Sequence, residues 1–292
     1  MTKIRSTDAS QIQDRRGQGG GGFSFPGLGG GGGLGFPTKM GGGIIGIIAL
    51  LAALFLPKLL GGSSQAAVSE SGETSGDEST CESELEQILC GGTIDVQSYW
   101  ETAYPEAFGS PYEPTKTVFF SGAIGTNCGQ ASSAVGPFYC PADRLVYFDL
   151  DFLTQLQNQF GAVGDLAAQY IVAHEYGHHI QNLTGVSDQV RQAQAGNPAQ
   201  ANLYSVALEL QADCFAGAWA HDADARGQLE QGEIDEALNA AAAVGDDRIQ
   251  QQTQGRVDQE SWTHGSSEQR VQWFRRGYET GDPQQCNTFE EL

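Results

Sequence analysis

The sequence predicts an α+β domain that is mostly helical, with a small sheet placed before its H-E-x-x-H helix. Three observations carry this. From Gly164 onward, apolar residues recur at helical spacing in several separate stretches. Just upstream, short runs of β-type residues, Val118-Phe119-Phe120 and Leu145-Val146-Tyr147-Phe148, lie between clusters of Gly and Pro. Before about residue 80 the chain is too poor in large side chains, one apolar run apart, to build a core.

The elements follow in chain order. Residues 17–43 are Gly-rich and of low complexity. Glycine loses the most freedom on ordering, and little here compensates, so residues 1–40 are expected to form a disordered tail. "IIGIIALLAALFLPKLL" follows at residues 44–60, with no charge before Lys58. With Gly41–Gly43 it reaches the length of a short membrane span, which predicts a transmembrane anchor over 41–60. It starts too far into the chain for an ordinary signal peptide. Lys3, Arg5, Arg15, Arg16 and Lys39 precede it against Asp8 and Asp14. The positive-inside rule then predicts a cytoplasmic N-terminus and an extracytoplasmic domain. Residues 61–80 read as a polar, acidic linker, and residues 81–292 as the folded domain.

The net charge is −21, and residues 1–40 carry +3 of it, leaving −24 on the rest. Such a surface repels phosphates and excludes a nucleic-acid partner. All six cysteines follow the apolar run, which fits disulfides in an exported domain. The local pairs Cys81–Cys90 and Cys128–Cys140 are the simplest, leaving Cys214 with Cys286. No C-x-x-C spacing occurs, which argues against a cysteine zinc site.

Helices are expected from Gly164 or Asp165 to Gly185, and from about Pro198 to Ala220 with Asn197 as cap. A third covers 232–245, and a fourth begins at Ser266, which stands in capping-box spacing with Gln269. The acidic residues around the third lack the alternation of a calcium loop and read as a solvated face.

The first helix carries His174-Glu175-Tyr176-Gly177-His178 inside an apolar run. At 3.6 residues per turn the two histidines share one face, while Glu175 lies about 100° round the helix. Two imidazole nitrogens on one face can hold a zinc ion, and the carboxylate between them can take a proton from water. His179 faces elsewhere and is left out. A third ligand is needed. The H-E-x-x-H-x-x-G-x-x-H solution is excluded by Gln181 and Thr184. On the second helix Glu209 stands four residues before Asp213 in another apolar run. Glu209 can complete the set, with His221 and Asp213 as rivals, and Asp213 can orient a ligand histidine by accepting from its other ring nitrogen. For a developing oxyanion, His264 and Tyr278 are the candidate donors.

With these residues in place, the sequence resembles the neutral zinc metallopeptidase family, itself similar to the gluzincins. H-E-Y-G-H-H followed by E-L-Q-A-D-C carries the resemblance. "CGQASSAVGPFYCPADRLVYFDLDF", "VGDDRIQ" and "THGSSEQRVQWFRRGYETGD" extend it over roughly residues 81–290. The resemblance implies a zincin-like peptidase domain, with Zn2+ on His174, His178 and Glu209 and with Glu175 as general base. A Gly-rich N-terminus and a single span are also similar to its members. The implied partner is a peptide or protein substrate, laid along the strand near Leu145–Phe148 by strand addition. Two alternatives remain open at this stage. One is a peptide-binding protein that does not cut, and the other is a zinc hydrolase of a non-peptide amide.

Overall fold

A computed structural model describes residues 2–17, 80–132, 135–154 and 164–291. The elements in order are β1 (Ile12–Asp14), α1 (Glu84–Phe108), β2 (Lys116–Phe120), β3 (Ala123–Thr126), β4 (Gly129–Ser132), β5 (Phe138–Cys140) and β6 (Leu145–Asp149). The helices α2 (Asp165–Leu183), α3 (Val186–Gly196), α4 (Ala201–Ala225), α5 (Glu233–Ala243), α6 (Asp246–Gln254) and α7 (Ser267–Thr280) follow. The fold is thus α+β and mostly helical, with its sheet ahead of the H-E-x-x-H helix.

The main sheet runs β1-β2-β6-β5, and β3 and β4 form a separate hairpin. β1, β2 and β6 are parallel, while β5 is antiparallel to β6. Val118, Phe119, Phe120, Val146 and Phe148 are fully buried, as expected of strands covered on both faces. One large core joins this sheet to the helices through Trp100, Phe148, Tyr176, Trp219 and Phe274. Thr117 on β2 links the sheet to both neighbouring helices, 3.2 Å from the Thr93 hydroxyl and 3.5 Å from the Tyr176 hydroxyl.

α1 is a long helix that sequence reading overlooked. Ser83 caps it and Glu86 reaches back to complete a capping box. That S-x-x-E spacing was the available signal. Gly91, Gly92, Thr93 and Pro105 mask the helical pattern, since each is a poor helix former. Tertiary burial of Leu89, Val96 and Trp100 overrides them. The capping box at Ser266 and Gln269 is present as expected.

Two expectations change. The first is the disordered tail over 1–40. Residues 18–40 lie outside the described residues, but residues 2–17 are built into the domain. β1 pairs in parallel with β2, Ile12 opposite Thr117. Ile4 is buried, its carbonyl accepts from the Gln169 side chain at 2.5 Å, and Ser6 N–H donates to Gln87 O. Arg5 bonds Asp165 and Glu84, and Arg16 bonds Asp14 and Glu86. Composition missed the segment because it is held mainly by backbone bonds and ion pairs, with few large side chains. It also bears on membrane topology. The anchor expected over 41–60 and most of the linker over 61–80 lie outside the described residues. Among the described residues, no helix is long and apolar enough to cross a membrane. A single crossing at 41–60 would put β1 and β2 on opposite sides of a membrane, and strands that hydrogen-bond to each other share one side. A cytoplasmic N-terminus and an extracytoplasmic domain therefore do not fit this one folded body.

The second is strand addition at Leu145–Phe148. That strand is β6, which is paired on both sides by β2 and β5. Its backbone groups are taken, so no further strand can join it.

The cysteines form the expected pairs. Cys81–Cys90 fastens the start of α1, Cys128–Cys140 ties the β3–β4 turn to β5, and Cys214–Cys286 ties α4 to the C-terminal segment.

Candidate metal centre

α2 and α4 pack against each other along their buried faces. Gly177 permits the approach, since a Cβ there would lie 3.0 Å from the Cα of Ala212. The crossing brings one ligand atom each of His174, His178 and Glu209 within 4.8 Å of one another, all three side chains buried. His174 Nε2 lies 3.2 Å from Glu209 Oε2, and His178 Nε2 lies 3.5 Å from Oε1.

The outer ring nitrogens are already engaged. His174 Nδ1 donates to Asp213 Oδ1 at 2.9 Å, and His178 Nδ1 donates to Gln181 Oε1 at 2.8 Å. Both acceptors fix the Nδ1–H tautomer and leave the Nε2 lone pairs facing Glu209. Glu209 Oε2 is buried and accepts no hydrogen bond. Two lone pairs and a carboxylate converge here with no proton between them in these tautomers, an arrangement that a cation relieves. The donor set of two imidazoles and one carboxylate is one that zinc takes, with a fourth position left open.

The electrostatics agree. Burial works to lower His174, but Asp213 and Glu209 carry it up to about 9. Burial pushes Glu209 up, yet His178 and His174 outweigh it and hold it below the usual carboxylate range. Glu175 is buried beside them, and burial raises its carboxyl against the opposing pull of the histidines. That direction suits a base that must accept a proton near neutral pH.

Asp213 sits where expected, at 0 % exposure behind His174. His264 is buried and lies close enough to Glu209 to bear on its carboxyl. Its loop rests on α4, where a Cβ on Gly265 would meet Leu210 and Val206 at 3.3 and 3.2 Å. His264 Nδ1 donates to Asp246 Oδ1 at 3.0 Å, and Asp246 Oδ2 accepts the backbone N–H groups of Thr263, His264 and Gly265. Burial pushes Asp246 up, but these bonds hold it below its ordinary value.

The rivals are placed elsewhere. The Tyr278 hydroxyl donates to Asp224, and His221 donates to the Tyr278 carbonyl. Both ring nitrogens of His179 are spent, on the Tyr139 hydroxyl and the Glu113 carbonyl. Sequence reasoning missed Tyr170, Gln181, Asp246 and Arg270. Asp246 and Arg270 had a readable trace, in the segments "VGDDRIQ" and "THGSSEQRVQWFRRGYETGD".

Comparison with known proteins agrees with this geometry. A family model described as "Putative neutral zinc metallopeptidase" matches residues 1–289, the N-terminal segment included. The chain belongs to this family. It is 44% identical over 283 residues to "Uncharacterized protein YpfJ" of Escherichia coli (strain K12), covering 97% of this chain and 96% of the relative. It is 48% identical over 213 residues to "Uncharacterized protein Rv2575" of Mycobacterium tuberculosis, covering 69% of each chain. No solved structure matches it.

Proposed function

We propose that the protein is a zinc-dependent peptidase acting outside the cytoplasm. The observation that carries this is the convergence of His174 Nε2, His178 Nε2 and a Glu209 carboxylate without a hydrogen bond to Oε2, beside the buried Glu175. His174, His178 and Glu209 would hold the zinc. When bound, it would polarise the scissile carbonyl and acidify a water molecule. Glu175 accepts the proton of the attacking water and passes it to the leaving amine. His264, steadied by Asp246, would stand as the donor to the oxygen that becomes negative. An extended peptide would join the sheet at β5, the outer strand nearest α2, since β6 is closed on both sides. The net negative charge leaves nucleic acid an unsuitable partner.

The three bridges support an oxidising compartment. The whole folded body, residues 2–17 included, is placed on that side. The apolar run at 41–60 is kept as the contact with the membrane. The segment holding it leaves and rejoins the body at one place, where the Thr80 hydroxyl donates to Asp14 at 3.1 Å.

The test uses full-length protein purified from cells, because a fragment starting in the linker would lack β1. About one zinc per chain is expected, with all cysteines bridged. Glu175→Gln should keep the zinc and lose cleavage of an unfolded protein such as casein by at least about 100-fold. A folded, bridged wild type that takes up no zinc would sink the reading. Full turnover by the Glu175→Gln protein would sink the mechanism, and free thiols in the isolated protein would sink the location.

A further inference from the structure

The metal group has a partner on a helix that supplies no ligand. Asp213, fully buried on α4, accepts four hydrogen bonds from three side chains. Its Oδ1 takes His174 Nδ1 at 2.9 Å, the Tyr170 hydroxyl at 2.5 Å and Arg270 Nη2 at 2.9 Å. Its Oδ2 takes Arg270 Nε at 2.7 Å. The guanidinium therefore grips the carboxylate as a fork, one nitrogen to each oxygen, which fixes the carboxylate plane as well as its position. Arg270 is 3 % exposed. Its Nη2 also donates to the Tyr170 hydroxyl at 3.2 Å, and Nη1 donates to the Val244 carbonyl at 3.3 Å. The same Nη2 lies 3.4 Å from His174 Nδ1 and 4.0 Å from Glu209 Oε2.

This arrangement does more than neutralise a buried charge. A carboxylate free to rotate about its last bond could turn Oδ1 away from His174. Held by the fork and by Tyr170, it presents Oδ1 to Nδ1 and keeps the imidazole turned with Nε2 toward Glu209. His178 is steadied by other means. Its acceptor is the neutral amide of Gln181, whose nitrogen donates to Leu208 O and Gln211 Oε1. The backbone geometry that lets Arg270 reach Asp213 is set one and two turns further along, where Gly217 and Gly277 let α4 and α7 touch. A Cβ on either would overlap a carbonyl oxygen of the other helix.

We propose that Arg270 is a positioning residue of the metal group, acting through Asp213 on His174, so that α7 sets zinc affinity without contributing a ligand. The inference rests on the zinc reading above.

The test measures zinc affinity by competition with a chromophoric chelator, together with the absorption spectrum of the cobalt-substituted full-length protein. Arg270→Lys keeps the charge but loses the fork. Tyr170→Phe keeps the ring and loses one donor. Val271→Ala, the next residue on α7, weakens packing alone. Zinc binding is expected to weaken roughly 10- to 100-fold in Arg270→Lys, with an altered cobalt spectrum, and by less in Tyr170→Phe. Val271→Ala should lower thermal stability and leave both readouts unchanged. Wild-type zinc affinity and an unchanged spectrum in folded Arg270→Lys would overturn the inference while leaving the zinc reading intact. Weakening of equal size in Val271→Ala would also overturn it, because general loosening would then explain the effect. A wild type that binds no zinc would remove the parent reading and this inference with it.

Discussion

The metal group and the N-terminal segment are both essential parts of one body, yet they are held by opposite means. The metal group is a knot of side chains. His174, His178, Glu209, Asp213 and Arg270 are all buried, and their partners lie on helices packed directly together. The N-terminal segment is held largely by its main chain. Ile4 and Ile12 are the larger apolar residues it packs against the core, and its long-range bonds are mostly backbone bonds and half-buried arginine pairs. Buried side-chain chemistry leaves a mark in sequence, because polar residues in an apolar helix call for an explanation. Backbone pairing leaves almost none, since every residue has the same groups to offer.

Each region can be loosened without touching the other, and the largest effect belongs to the helices. Gly277→Ala would drive a methyl into the Cys214 carbonyl and push α7 off α4. A loss of more than about 4 kcal/mol is expected, with zinc binding weakened as Arg270 is drawn away. Thermal unfolding and zinc titration of the same sample would check this, and wild-type zinc affinity would show that the helix contact does not govern the site.

Asp246→Asn comes next, at about 3 kcal/mol near neutral pH, because charged hydrogen bonds to buried groups are lost. Its sign with pH is fixed by the depressed carboxyl. The stability Asp246 adds is fully present above the ordinary value of 3.8 and disappears as pH falls through the lower folded value. Stability curves of wild type and variant should therefore converge in acid, and curves that stay parallel to the lowest accessible pH would refute the assignment.

The smallest effect is at the other region. In Gly91→Ala the new Cβ would stand 2.7 Å from the Cα of Arg5 and 2.8 Å from the carbonyl oxygen of Ile4. The N-terminal segment must shift or lift, at about 2 kcal/mol. Hydrogen exchange should rise at residues 4–16, with no change in zinc affinity. Protection retained at those residues would show that the segment is not held against α1 in this way.

The same contrast explains what sequence reading reached. His174, His178, Glu209 and Asp213 were legible because helical spacing alone puts each pair on one face. The cysteine pairs were legible because two of them are local. Arg270 was not, since its role depends on where α7 crosses α4, and one of three arginines on an amphipathic helix looks like surface. Tyr170 and Gln181 looked like ordinary occupants of α2. Asp246 lies seventeen residues before the loop whose N–H groups it gathers, and nothing local ties the two. β1 was hidden most completely, having neither apolar alternation nor a turn to a neighbouring strand.

That strand has a consequence for how the molecule comes into being. Ile12 and its partner Thr117 are separated by more than a hundred residues. At about 5–20 residues per second of synthesis, the first strand made waits on the order of 5–20 s before its neighbour exists. Gln169, which grips the Ile4 carbonyl, comes later still. The beginning of the chain thus waits for partners made long after it, and the sheet is left with an open parallel edge until it docks.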